Sequence, residues 1–175
     1  YSAELLPSLI EYYDGDVVVI QEEISDDWVN KNCLVRSVDW FESHSDLYDR
    51  VLYHFGNSHF HQHMFDLLYK YPGTVVLHDF YLGHVMESMG LLNDQAYYSH
   101  GYIPFVGGGE DIVWNYPLNK KVIDHAHGVI VHSENSRILA NQWFGEQVAK
   151  EWFVIPLLRK PAETLIKREC REILN

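Results

Sequence analysis

The sequence predicts an α/β fold with a doubly wound parallel sheet, and three features of the chain lead to this class. Short apolar segments rich in valine and isoleucine recur along it, and such near-continuous apolar runs are typical of strands buried on both faces. Segments with the apolar spacing of amphipathic helices lie between them. The length of 175 residues is that of one domain with a sizeable core. Alternating strands and helices imply right-handed crossovers and therefore parallel strands.

The predicted elements follow in chain order. The apolar runs predict strands over residues 16–21, 50–55, 74–78, 128–132 and 152–155. Apolar residues at helical spacing predict helices over residues 1–13, 58–70, 118–127, 134–144 and 161–175.

Proline, glycine and serine mark the ends of some of these helices. Pro7 predicts a kink in the first helix or its true first turn, and Gly15 is expected to end it. Ser133 is expected to cap the helix over residues 134–144, and Gly145 to stop it.

Residues 92–117 interrupt the alternation, because they hold several glycines and two prolines among aromatic side chains. A long loop is predicted there, and loops of this length in compact domains are usually functional or mobile. Within it, Gly107-Gly108-Gly109-Glu110-Asp111 could nest a phosphate. It lacks the lysine and the Ser/Thr of a P-loop, so a flexible loop or a lid is the preferred interpretation.

The composition excludes several classes of partner. Thirteen basic and 25 acidic residues give a net charge of −12. Nucleic-acid binding and general adhesion to an anionic bilayer are therefore not expected, since both need a basic surface. No stretch approaches the ~20 consecutive apolar residues of a spanning helix. Cys33 and Cys170 form no C-x-x-C pair, so neither a disulfide framework nor a cysteine zinc site is predicted, and a cytoplasmic location is expected.

Three of the predicted strands end in histidine, at His54, His78 and His132. Each histidine is followed by small or polar residues, and ligands of open α/β sheets bind outside the carboxyl ends of the strands. The sequence therefore predicts that these imidazoles lie near a substrate. The alternative is that each is a satisfied polar group capping a strand end.

His78 and Asp79 are the first candidates for a pair of residues that carries out the chemistry of the site. An imidazole donates or accepts a proton near neutral pH, and an adjacent carboxylate can orient it or bind sugar hydroxyls. Neighbouring residues of a strand point to opposite faces, so the two side chains converge only if the strand has ended at His78.

A second cluster of histidines, His59, His61 and His63, resembles a metal-binding site. On a helix His59 and His63 share a face at i, i+4, and Asp66 is in reach of His63. The glutamate of an H-E-x-x-H motif is absent, so histidines facing solvent or substrate are the preferred interpretation, and no metal site is predicted.

Five stretches of the chain, individually weak, are fairly specific in their order and spacing. They are YSAELLP (Tyr1–Pro7), YHFGNS (Tyr53–Ser58), HQHMFDL (His61–Leu67), PGTVVLHDFYL (Pro72–Leu82) and GVIVHSE (Gly128–Glu134). In these stretches the chain resembles the N-terminal half of family 4 glycosyltransferases, which have the GT-B fold. The resemblance covers residues 1 to about 160.

The resemblance implies one half of an enzyme in which two Rossmann-like halves enclose a cleft. Residues 1–158 would form the acceptor-binding domain and residues 159–175 the interdomain linker helix. The other half of such enzymes binds the nucleotide-sugar and carries an E-x7-E motif. The implied reaction is retaining transfer of a sugar from a nucleotide-sugar to a glycan or lipid-linked acceptor, with no metal and no further cofactor.

The resemblance also implies roles for particular residues. His78 matches the family's strand-end histidine, which reaches the transferred sugar, and Asp79 matches the residue beside it, so these two are the predicted catalytic residues. The cleft for the acceptor and the donor sugar is expected to be lined by Asn57, Ser58, Tyr81, Ser133 and Glu134.

The chain departs from the family pattern at both ends. Family members have a first strand and a glycine-containing loop before the stretch that matches Tyr1–Pro7, and a second Rossmann-like half after the linker. A fragment that is inactive on its own is therefore expected. A missing strand would leave a sheet edge open to pairing with another chain, which makes an oligomer one expectation. Membrane contact is expected to be peripheral at most, through the acceptor.

Two other functions are kept as alternatives. One is a non-catalytic carbohydrate-binding or partner-docking module of the same fold, with the helix over residues 161–175 as a docking element. The other is a metal-dependent hydrolase built on His59, His63 and Asp66.

Overall fold

The computed structural model describes residues 2–20, 24, 26–106 and 111–157, and it has the α/β fold that the sequence predicts. The strands of this part of the chain are β1 (Asp16–Val19), β2 (Leu34–Ser37), β3 (Leu52–Phe55), β4 (Thr74–Leu77), β5 (Gly128–Val131) and β6 (Phe153–Val154). The α-helices are α1 (Ser2–Leu9), α2 (Asp27–Asn32), α3 (Val38–Ser43), α4 (Gln62–Lys70), α5 (Gly83–Ser88), α6 (Leu92–His100), α7 (Ile112–Asn115), α8 (Lys120–His125) and α9 (Glu134–Phe144). Short 3₁₀ turns occupy Ser45–Leu47, His59–His61 and Ile103–Phe105.

The strands form two parallel sheets. The larger sheet has the order β3-β4-β5-β6, and β1 pairs with β2 in a separate two-stranded sheet. Phe55, Leu77 and Val131 lie in register, so β3, β4 and β5 end at one level. Consecutive parallel strands joined through helices confirm the α/β class.

Strand β4 shows that the larger sheet is covered on both faces. Val75, Val76 and Leu77 alternate between the faces, yet their side chains are only 0%, 1% and 2% exposed. On the side of Val75 and Leu77, the ring of Phe55 meets that of Phe65 edge to face at 4.8 Å. Burial on both sides accounts for the unbroken apolar run that identifies this strand in the sequence.

The observed strands are one or two residues shorter than the segments predicted, and this difference bears on the site. The segment predicted over residues 74–78 ends at Leu77, and that over residues 128–132 ends at Val131. His78 and His132 therefore follow their strands. His54 lies inside β3, which ends one residue later.

Three of the predicted helices differ from the observed ones at their ends. The helix predicted over residues 118–127 is the shorter α8. The first helix ends at Leu9, so the prediction that Gly15 stops it is wrong; a turn held by the bond from Tyr13 N to Leu9 O follows instead. The segment over residues 58–70 is a 3₁₀ turn followed by α4. Helix α9 matches its prediction, with Ser133 and Gly145 as the flanking residues and Gly145 at φ +112°.

The prediction of one long loop over residues 92–117 is wrong. Most of this segment forms α6, a 3₁₀ turn and α7. Helix α6 has no continuous apolar stripe, and it buries Gln95 and Ala96 against its neighbours. Tertiary packing therefore stabilises a helix here that the apolar spacing does not predict.

The sequence reasoning also missed the elements between residues 26 and 43. Asp26 caps α2 by accepting hydrogen bonds from the backbone N–H groups of Trp28 and Val29. Ser37 caps α3 through the N–H of Trp40. Between them β2 has mostly exposed side chains, so it lacks the apolar signature of the other strands.

The boundary at residue 158, the linker helix over residues 159–175 and the glycine run at 107–109 lie outside the described residues. Among the described strands, β1 and β3 lie at sheet edges, because each pairs with a neighbouring strand on one side. No helix in the described ranges has the length and apolar character needed to cross a bilayer.

The close approach of α5 and α7 generates a stability prediction. A Cβ on Gly83 would overlap the backbone of Val113. Gly83→Ala should therefore lower the free energy of unfolding by about 1–3 kcal/mol, the usual cost of overpacking. The matched control is Gly15→Ala, where no atom lies within 4 Å of the added Cβ and a change within about 0.5 kcal/mol is expected. Equal urea midpoints for the two variants would contradict this packing.

Candidate functional site

The candidate site lies at the carboxyl edge of β3, β4 and β5. His54 is in register with Val76, and Val76 is in register with Ile130. Side chains two residues apart on a strand share a face, so His78 and His132 project on the same side of the sheet as His54. The sequence places the histidines at strand ends, and the register brings them into contact.

The three imidazoles form a continuous row of hydrogen bonds, which we call the imidazole row. His54 Nδ1 lies 3.1 Å from His78 Nε2, and His78 Nδ1 lies 2.8 Å from His132 Nε2. At the far end, His132 Nδ1 lies 2.8 Å from the carbonyl oxygen of Ile155, just after β6. The rings are nearly parallel, with centroids 5.3 Å and 4.9 Å apart.

A fourth histidine is packed against the start of this row. His61 Nδ1 donates to the carbonyl oxygen of His54 at 2.8 Å. The backbone at Gly56 has to be close to His61, because a Cβ there would lie 2.9 Å from His61 Nε2 and 3.4 Å from Asp79 Oδ2. Glycine is therefore required at this turn for space.

Asp79 and Asn57 join the loops that surround the row. Asp79 Oδ2 accepts a hydrogen bond from Asn57 N at 2.8 Å, which ties the end of β4 to the end of β3. Asn57 Oδ1 accepts from Val85 N at 3.1 Å and so holds the first turn of α5. The condition that β4 ends before His78 is met, and the carboxylate of Asp79 acts on His78 through its charge.

Burial keeps the imidazoles of His54 and His78 neutral at pH 7. Desolvation, followed by the neighbouring His78, lowers the pKa of His54 to about 4. Desolvation, followed by His132 and His61, lowers the pKa of His78 to about 4, although the charge of Asp79 opposes this. A neutral imidazole has one donor and one acceptor, so the row presents oriented hydrogen-bonding groups at neutral pH.

The other predicted cleft residues make local contacts. Ser58 accepts a backbone bond from His61 N, and Tyr81 packs edge to face on Phe80. The hydroxyl of Ser133 lies 3.3 Å from that of Ser136. The carboxylate of Glu134 forms an ion pair with Arg137 at 2.8 Å.

The residues considered for a metal site are not grouped as ligands. Across the described ranges, no three His, Cys, Asp or Glu side chains form a cluster that could hold a metal ion. His59 is exposed and its ring packs on Phe60 at 4.0 Å, and Asp66 is exposed on α4.

Sequence reasoning predicted that His54 and His132 lie near a substrate but did not place them among the catalytic or cleft residues. It considered His61 only as part of a metal site, and it left out the Ile155 carbonyl altogether. A signal for the two histidines was present, because the V-x-x-H endings of the three strands align under a common register. The carbonyl of Ile155 has no sequence signal, since every residue carries one.

A separate cavity of about 390 Å³ lies at the opposite end of the sheet. Its walls include Val51, Gly73, Thr74 and His127, which sit at the amino ends of β3, β4 and β5. Ligands of open α/β sheets bind at the other end, so this cavity is not part of the candidate site.

No family model matches the chain, and none of the curated proteins or solved structures compared with it does. The function proposed below therefore depends on the site and on the resemblance of the motifs.

The lowered pKa of His54 predicts a pH dependence of stability. Folding lowers the pKa of His54 from 6.5 to about 4, so the unfolded chain binds more protons between these values. This contribution is present above pH 6.5 and is lost as the pH falls toward 4. His54→Gln should therefore remove about 2 kcal/mol of the loss in unfolding free energy between pH 7 and pH 5.

Urea unfolding at the two pH values measures this difference. The matched control is His59→Gln, an exposed histidine after β3, which should keep the wild-type difference. An unchanged difference in His54→Gln would show that His54 is not held neutral by folding.

Proposed function

We propose that this chain is the acceptor-side half of a retaining glycosyltransferase of family 4, with the GT-B fold. The observation that carries the proposal is the imidazole row at the carboxyl edge of the parallel sheet, with His78 at its centre. This is the edge at which α/β sheets bind ligands. The motif resemblance assigns the histidine at this position to the transferred sugar.

The chemistry of the row suits a sugar ligand. Sugar hydroxyls donate and accept hydrogen bonds, and neutral imidazoles with one donor and one acceptor match them. In the proposed reaction the bond from the anomeric carbon to the nucleotide phosphate breaks, and a bond to the oxygen of an acceptor hydroxyl forms on the same face. The leaving phosphate oxygen keeps the electron pair of the broken bond and takes up the proton of the acceptor hydroxyl. The transition state has oxocarbenium character, and this half contributes position and electrostatics.

His78 is the proposed catalytic contact with the sugar. Its Nε2 has the longer of the two bonds in the row, 3.1 Å to His54, and a sugar hydroxyl would take the place of His54 there. Its Nδ1 would stay bonded to His132 at 2.8 Å, which keeps the ring oriented. Asp79 supports this arrangement through the loop that it ties to Asn57.

The remaining parts of the proposal follow from the resemblance. A nucleotide-sugar is the proposed co-substrate, bound mainly by a second half, and the acceptor is a glycan or a lipid-linked glycan. The net charge of −12 supports this division, because a pyrophosphate needs cations and acidic residues outnumber basic ones in this half. No metal or further cofactor is proposed, and the proposed location is cytoplasmic, with peripheral membrane contact only through the acceptor.

The test is His78→Ala in the protein translated from the complete reading frame. Loss of an oriented hydrogen bond near the reacting carbon should lower kcat/KM by about 10²–10³-fold with the best nucleotide-sugar. The matched control is His125→Ala on α8, whose ring bonds to the backbone of its own helix at Lys121 and should leave turnover unchanged. Unchanged turnover in His78→Ala would remove the role of His78, and no nucleotide-sugar turnover in the wild type would remove the proposed reaction.

A carbohydrate-binding module without catalysis is the second candidate, and the exposed aromatic side chains favour it. Trp114 and Tyr102 are 66% and 73% exposed, and such rings can stack on sugars. If this function is correct, an oligosaccharide panel titrated onto the chain should give binding that nucleotides do not change. Trp114→Ala should weaken that binding by about tenfold, as expected for loss of one aromatic contact. Binding that depends on a nucleotide-sugar would instead favour the transferase.

A further inference from the structure

The imidazole row ends at the backbone of Ile155, which strand pairing holds in place. Ile155 N donates to the carbonyl oxygen of Val131 at 2.9 Å, which continues the pairing of β5 and β6. The carbonyl oxygen of the same residue faces His132 Nδ1 at 2.8 Å. A carbonyl oxygen only accepts hydrogen bonds, so Nδ1 of His132 has to carry the proton of this bond.

When the three rings are neutral, this requirement propagates along the imidazole row. A neutral imidazole that donates from Nδ1 accepts at Nε2, so His78 Nδ1 has to donate to His132 Nε2. The same rule makes Nε2 of His78 an acceptor, and His54 Nδ1 then donates to it. One backbone oxygen thus decides the proton positions of three side chains, one in β3 and two that directly follow β4 and β5.

We infer that the carbonyl of Ile155 sets the Nδ1–H tautomer of His132, His78 and His54 in series, and that His132 is the positioning residue that presents His78 Nε2 as a hydrogen-bond acceptor. His61 follows the same rule independently, because its Nδ1 donates to the carbonyl oxygen of His54. Backbone oxygens therefore direct both ends of the histidine group.

The consequence for substrate rests on the proposed function. With Nε2 preset as an acceptor, His78 favours a ligand group that donates a hydrogen bond, such as a sugar hydroxyl, and disfavours a carbonyl or carboxylate oxygen at this point. If His54 and His78 had the opposite tautomer while His132 kept its Nδ1 proton, His78 Nδ1 and His132 Nε2 would face each other as two acceptors.

The experiment is long-range ¹H–¹⁵N NMR of the ring nitrogens, on the whole chain labelled with ¹⁵N-histidine at neutral pH. Wild-type His54, His78 and His132 should each show a protonated Nδ1 and an unprotonated Nε2. In His132→Phe the directing carbonyl is disconnected, so His78 and His54 should shift to Nε2–H or to a mixture of tautomers. His125→Phe, outside the row, should leave all three rings as in the wild type.

The result that would overturn the inference is an Nε2–H tautomer at any of the three histidines in the wild type, which is measured without a variant that has to fold. Retention of Nδ1–H at both His78 and His54 in a folded His132→Phe would also overturn it. The measurement uses no sugar, so its failure leaves the glycosyltransferase proposal standing. Conversely, absence of nucleotide-sugar turnover would leave the tautomer inference standing, because the tautomers are measured without a sugar.

Discussion

The shared register of β3, β4 and β5 is the constraint on which the candidate site depends. Phe55, Leu77 and Val131 are level, so the alternation of side chains brings the three histidines to one face at one edge. The hydrogen bond from His78 N to the carbonyl oxygen of Phe55 at 2.8 Å extends this alignment beyond the end of β4. A slip by one residue would turn His78 to the other face of the sheet.

The electrostatic character of the site follows from its burial. Two of its imidazoles, His54 and His78, have pKa values lowered to about 4, so these two rings are neutral while the chain as a whole carries a charge of −12. Such a group acts by the direction of its hydrogen bonds more than by its charge. This property agrees with a domain that orients a sugar while cations elsewhere hold the leaving group, which is the division of labour we propose.

The residues beside the histidines act differently, because they position the loops that follow β3 and β4. Asp79 links β4 to β3 through Asn57 N, and Asn57 in turn holds the start of α5. Gly56 leaves the space that His61 fills against the backbone of β3. The buried amide of Asn119 donates to the carbonyl oxygen of Phe80 at 2.6 Å, which fixes the loop after Asp79 from the opposite side. The imidazole row is therefore framed by contacts that restrict its movement.

The sequence by itself determined the class of the fold, the central strands and the positions of the strand-end histidines. These features are local, because a strand buried on both faces needs an apolar run and its end needs a polar residue. Helix α6 could not be predicted in this way, since its burial at Gln95 and Ala96 depends on neighbours distant in the chain. The tertiary structure alone decided which histidines touch, and that the carbonyl oxygen of Ile155 lies at the end of their row. Register and backbone direction arise when strands pair, and neither is written in any one segment.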